Sequence, residues 1–213
     1  MVKTSTFKYK LASFPSRLSA LVVAVAMMIV VSAPASHAAP LVPPAVPTNG
    51  AYVGAWVNPG GLKDAPGTEA GTVEIQQLPA FNQNLGGPTV AILSVYVGFT
   101  QAFPTDTLNA IEQNGSIPML SWGCQSLADI TSGKDDAIIT SFAQSTKSFQ
   151  KPLFLRWYWE MNNPHVQPTC YTSGDQQAYI QAWAHIWTIF KGISTTNVAF
   201  VWCPNDGASG TPY

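Results

Sequence analysis

Five short apolar runs recur along the chain, and helical patterns fill the stretches between them. No other feature constrains the fold as much. The runs are YVGAWVN (52–58), VAILSVYV (90–97), IPMLSW (117–122), PLFLRWYW (152–159) and VAFVWC (198–203). Each is short, rich in β-branched or aromatic residues, and bounded by Gly, Pro, Asn or Ser, which is how a strand reads. Such runs fit strands buried on both faces, as in a parallel sheet. The helical patterns span 71–85 (interrupted by Pro79), 105–115 (closed by Gly115), 135–150 and 175–192. The last is the clearest, with Tyr179, Ile180, Trp183, Ile186, Trp187 and Phe190 at helical spacing and Gly192 closing it. Strands alternating with helices imply parallel strands joined by crossovers.

Two architectures satisfy that alternation: an open doubly wound sheet and a closed (β/α)8 barrel. The stretch after the first strand, VNPGG (57–61), is a turn and not a dinucleotide-binding glycine loop. The residues suited to chemistry lie at the C-terminal ends of several different strands, which favours the barrel. The chain supplies five strands of the eight, so the expectation is a barrel represented by about its first five βα units.

The first 38 residues read as a secretory signal. Lys3, Lys8, Lys10 and Arg17 form a basic start, Leu18 to Val31 is an apolar run, and Ser36 and Ala38 are the small residues of a cleavage site. The apolar run has about 14 residues, against the roughly 20 needed to span a bilayer. Residues 39–50 form a proline-rich lead-in. Beyond residue 38, six basic residues face eleven acidic ones, a formal charge of −5. That balance argues against nucleic acid or anionic membrane as partners. The expected product is exported, with no membrane association after cleavage and one domain of about 175 residues.

The cysteines are Cys124, Cys170 and Cys203. In an exported protein they are candidates for disulfides, and an odd number leaves one over. Cys124 and Cys170 each lie just beyond a strand end, so a pair between neighbouring loops fits them. No spacing resembles a metal site, and no cofactor is implied.

The chemistry concentrates in LFLRWYWEMN (153–162), where Arg156 and Glu160 are the only charged residues. Strand alternation sends Arg156, Tyr158 and Glu160 to one face if the strand runs that far. An arginine below the carboxyl favours its charged form, while aromatic walls favour the protonated one. Pattern alone leaves two readings open: a structural Arg–Glu pair, or a general acid tuned by its surroundings.

RWYWEMN, followed about forty residues later by FVWCPN and preceded by VGAWVNPGG (53–61), resembles the clan A barrel glycosidases, and most closely glycoside hydrolase family 26. The resemblance covers most of residues 51–206. It implies that 51–213 is part of a (β/α)8 glycosidase barrel and that Glu160 is the acid/base, with Arg156 orienting it. It also implies a β-linked polysaccharide or oligosaccharide of the mannan or glucan type as substrate. The family usually has histidine directly before that glutamate; here it is Trp159. The family nucleophile is a glutamate at the end of strand seven, and no residue here matches it. Retaining enzymes need two carboxyl groups about 5–5.5 Å apart, so this chain alone is expected to be inactive.

Aromatic faces stack on sugar rings much as they pack other apolar surface. On that basis Trp202, Trp122, Trp159, Tyr96 and Trp56 are candidate substrate contacts, and Asn162 is a candidate hydrogen-bond partner for a hydroxyl. Asp206 is the nearest alternative carboxylate, though CPNDGASG reads as a turn. Two rivals stand beside the hydrolase: a carbohydrate-binding protein that kept the groove without the chemistry, and an unrelated open α/β fold.

Overall fold

The computed structural model describes residues 41–58, 60–86, 89–165, 170 and 175–206. The signal-like segment lies outside these residues. Among them, five strands and five helices follow one another. They are β1 (Gly54–Ala55), α1 (Thr72–Asn84), β2 (Ile92–Val97), α2 (Thr105–Gln113), β3 (Ile117–Trp122), α3 (Leu127–Thr131), α4 (Asp136–Phe149), β4 (Leu153–Trp157), α5 (Gln176–Gly192) and β5 (Val198–Phe200). All strand pairs are parallel, and the order across the sheet is the order in sequence.

That order separates the two architectures left open above. A doubly wound sheet reverses strand order at a switch point and carries helices on both faces. Here nothing reverses, and the helices pack on one face. Val95, Trp122, Trp157 and Phe200 point to that face: Trp122 meets Phe142 of α4, Trp157 meets Tyr179 of α5, and Phe200 meets Phe190 of α5. The arrangement is that of consecutive βα units of a (β/α)8 barrel.

Alternation along each strand divides the residues accordingly. Leu93, Val95, Val97, Leu120, Trp122, Leu153, Leu155 and Trp157 are buried under the helices. The register aligns Ser94 with Met119, Tyr96 with Ser121, and Ser121 with Arg156, so these share the other, open face. Burial on both faces was the expectation from apolar runs. The open face instead keeps Ile92, Met119, Phe154 and Ala199 only half-buried.

The crossovers are fixed by local chemistry. The Asp64 carboxylate accepts from the N–H groups of Gly71 and Val73 and so caps α1 (both 2.9 Å). Gly71 has φ 87°, and a Cβ there would come within 2.7 Å of Val95. Glycine alone meets both demands. Helix α1 continues through Pro79 where the sequence suggested a break. Proline in a helix interior costs about 3 kcal/mol, and burial of Val73 and Leu78 offsets it. The edge strands are shorter than the apolar runs that announced them. Among the described residues each has a neighbour on one side, and beyond Val201, which still donates to the Leu155 carbonyl, the Cys203 carbonyl accepts from the Glu160 N–H.

Candidate active site

The chain changes direction sharply after β4. Tyr158 (φ 47°) and Glu160 (φ 54°) both adopt the left-handed conformation. Neither is glycine, so each costs about 1–3 kcal/mol and persists only where its surroundings over-determine it. The turn ends the alternation expected to run through Glu160. Tyr158 swings to the helix face, 2% exposed, where it meets Trp157 and Tyr179 edge-on.

Glu160 is carried over toward the segment that follows β5. Its backbone N–H donates to the Cys203 carbonyl (2.7 Å), and its Oε2 accepts from Asn205 Nδ2 (2.9 Å). Asn162 completes the joint. Its Nδ2 donates to the Asn205 carbonyl (3.0 Å), and its Oδ1 accepts from the Asn205 N–H (2.7 Å). That reciprocal pair imitates one rung of a strand ladder across the two loops. Asn162 is 6% exposed and its amide is committed at both ends. It is a clamp rather than the sugar contact expected of it. Asn162→Ala strands two backbone groups and is expected to cost about 1–3 kcal/mol of stability. Urea unfolding reads this, and an unchanged midpoint would mean the clamp does not form.

Arg156 does not pair with Glu160. Its guanidinium donates to Ser121 Oγ (from Nε at 3.1 Å and Nη2 at 2.7 Å), Tyr96 Oη (3.2 Å) and Ser94 Oγ (3.5 Å). Nη1 reaches the Cys203 thiol at 3.8 Å. The ion pairs among the described residues are Lys134–Asp129 and His185–Asp136. The turn at Tyr158 and Glu160 is the reason: it lifts the carboxyl away from the face that Arg156 occupies. Arg156 instead lies beneath an aromatic row, 5.6 Å from the Tyr96 ring and 5.9 Å from the Trp159 ring. Both contacts lie within cation–π range.

That row is Trp56–Tyr96–Trp159, joined edge-to-face at 5.8 and 4.9 Å. Trp56 is anchored by its indole N–H on the Glu74 carboxylate (2.8 Å). Below it an open cavity of about 360 Å³ is lined by Trp56, Ser94, Tyr96, Met119 and Arg156 among others. A cavity of about 420 Å³ lies between the starts of α1 and α2. There Glu69 already accepts from the Thr107 N–H and caps α2 (2.8 Å).

Two predicted sugar contacts belong elsewhere. Trp122 is fully buried, stacked between Phe99 and Phe142 at 4.5 and 4.2 Å. It sits one residue on from Ser121 and therefore faces the helices. Trp202 is 42% exposed but follows the parity of Phe200, and it packs edge-on against Tyr179 and Trp183 of α5. Both are helix-face residues.

Cys124 and Cys170 are joined by a disulfide, with Cα atoms 6.0 Å apart. Cys203 keeps its thiol beside Arg156. Of the acidic residues, Glu74, Asp106, Glu112, Asp129 and Asp136 lie on helices. Asp64, Glu69, Asp135 and Asp175 lie at helix starts. That leaves Glu160 and an exposed Asp206. Burial raises the Glu112 carboxyl above its usual range, against the opposing pull of Lys151, but Glu112 lies on α2, away from the strand ends. His165 is exposed in its loop, and His185 is held by Asp136 at 2.6 Å. Sequence reasoning assigned no role to Asn205, Ser94 or Ser121. Asn205 ends the quoted FVWCPN, and the serines are the lone small polar residues in two apolar runs.

Sites on (β/α)8 barrels lie at the C-terminal ends of the strands, and Glu160, which follows β4, lies at such an end with Trp159 of the aromatic row next to it in sequence. The chain is 31% identical over 175 residues to Endoglucanase H of Acetivibrio thermocellus. The matched stretch takes in 78% of this chain and 18% of that protein, so the chain spans under a fifth of the curated relative's length. No family model matches the chain.

Proposed function

We propose that this chain carries the acid/base half of a secreted glycoside hydrolase site of the family 26 kind, acting on a β-linked polysaccharide of the glucan or mannan type with retention of configuration. The observation that carries this reading is Glu160, placed past the end of β4 on a strained backbone and held by Asn205. The likeness to Endoglucanase H supports a glycoside hydrolase, with a glucan as the nearer substrate class. The disulfide and the signal-like start support export.

In the proposed reaction Glu160 protonates the glycosidic oxygen as the bond to the anomeric carbon breaks. It then takes a proton from the water that releases the sugar. The nucleophile of the first step is not among the described residues, where Asp206 is the only other carboxylate neither on a helix nor at a helix start. An added small anion such as azide can take its place. Its nitrogen bonds the anomeric carbon, the glycosidic C–O bond breaks, and the proton of Glu160 goes to the leaving oxygen. The expected result is cleavage of β-glucan or mannan oligosaccharide that needs azide and disappears in Glu160→Gln. Cleavage indifferent to Glu160 would sink the proposal. Tight sugar binding with no cleavage under either condition would leave the carbohydrate-binding reading in its place.

The aromatic row is the proposed sugar platform. Trp159→Ala is expected to weaken oligosaccharide binding about three- to tenfold, the worth of one ring contact. Calorimetric titration checks this, with Trp187→Ala, on the exposed flank of α5, as the control that leaves affinity unchanged.

A further inference from the structure

The geometry points to Asn205 as the positioning residue of Glu160, one that decides which carboxyl oxygen carries the catalytic proton. This rests on the reading of Glu160 as acid/base and adds a named atom to it.

An amide nitrogen donates and does not accept. Asn205 Nδ2 stands 2.9 Å from Glu160 Oε2. While the amide presents Nδ2, Oε2 accepts in both protonation states, and the acid proton is left to Oε1. Without that donor the two oxygens are equivalent, and a half-turn of the carboxyl exchanges them. With it, Oε1 is the delivering atom. Among the described residues Asn205 is the side-chain donor that reaches this carboxyl, since Arg156 is committed to Ser121, Tyr96 and Ser94.

Three further bonds keep the donor in place without involving the carboxyl. The Glu160 N–H holds the Cys203 carbonyl. Both backbone groups of Asn205 are held by the buried amide of Asn162. The spacing between the two backbones is thus set before the side chains meet. The left-handed Glu160 fits this, because a strained residue persists where neighbouring bonds dictate its conformation.

Two measurements on the full chain test the claim. In the first, the Asn205 side-chain amide resonance is followed by ¹H–¹⁵N spectroscopy. It is expected to move in Glu160→Ala, and an unmoved signal overturns the contact. The second compares azide-supported cleavage of phenyl and dinitrophenyl β-cellobioside. The phenyl group needs a proton to leave and the dinitrophenyl group does not. Asn205→Leu, which keeps the branched shape and removes the donor, is expected to slow phenyl cleavage about 100-fold and to leave dinitrophenyl cleavage within about twofold. Asn205→Ala repeats the comparison should the leucine variant fold poorly. Equal loss on both substrates means a merely structural role and overturns the proposal, as does no loss on either. If Glu160→Gln abolishes phenyl cleavage and the Asn205 variants do not slow it, the positioning role alone fails. If the unmodified chain cleaves neither substrate, the acid/base reading fails and takes the positioning role with it.

Discussion

Glu160→Gln is expected to lower azide-supported cleavage of an unactivated glycoside by about 10²- to 10⁴-fold while leaving oligosaccharide affinity within about twofold. The substitution is chosen for what it keeps. Glutamine has the same length, and its amide oxygen still accepts from Asn205. The Glu160 N–H still reaches the Cys203 carbonyl, because that bond belongs to the backbone. The left-handed turn and the aromatic row are therefore undisturbed, and the lost quantity is the ability to give and take a proton. Rates of the unactivated substrate and calorimetric affinity are measured on the same preparation. A loss of only a few-fold would mean that another group delivers the proton. A parallel loss of affinity would mean that the residue binds sugar rather than reacting with it. Dinitrophenyl cellobioside provides an internal control, since its first step survives without the acid.

The sheet was largely legible in the sequence, and its limits have physical causes. β3 matches the run IPMLSW end to end, and α5 matches the pattern ending at Gly192. These are elements with neighbours on both sides or with a long amphipathic period, where burial enforces the pattern. The edge strands failed in their lengths. Apolarity marks a residue that will be covered, but pairing depends on a partner strand, which a single run does not reveal. Glu160 stood out in the sequence as the candidate acid, and the groups that hold it, the Cys203 carbonyl and Asn205, did not. Tyr158 and Glu160 are residue types that avoid the left-handed region, so nothing local announced the turn that separates the carboxyl from Arg156. The tryptophans divided for a related reason. Trp159 and Trp56 join Tyr96 beside the open face, while Trp122 and Trp202 fall under the helices. Composition sees equivalent rings; only the register between strands, which aligns Ser121 with Arg156, says which way each points. Asn205 was invisible as a partner because an asparagine after proline reads as a turn. Its role depends on Asn162, which is 43 positions earlier.

Breaking the Cys124–Cys170 bond is expected to produce a large loss of stability. The bond closes a loop with a sequence separation of 46. In the chain-entropy account that constraint on the unfolded state is worth about 4 kcal/mol. A domain of this size has a total stability of only about 5–15 kcal/mol. The double variant Cys124→Ser/Cys170→Ser, or the native chain in reductant, should therefore melt about 8–16 °C lower. Circular dichroism with and without reductant measures it, and an unchanged midpoint in both would show that the bond contributes nothing. The position of the bond gives the loss a second consequence. Cys124 follows β3, and Cys170 lies between β4 and α5, in the same connection as Trp159, Glu160 and Asn162. The disulfide thus braces one side of that connection to β3, while Asn162 and Asn205 brace the other to β5. Reduction below the melting point should then weaken oligosaccharide binding at Trp159 before the sheet unfolds. The helix-face stack of Phe99, Trp122 and Phe142 does not depend on either brace. Near-ultraviolet circular dichroism from that buried tryptophan should persist while sugar affinity falls. Simultaneous loss of both signals would mean that the connection and the core unfold as one unit.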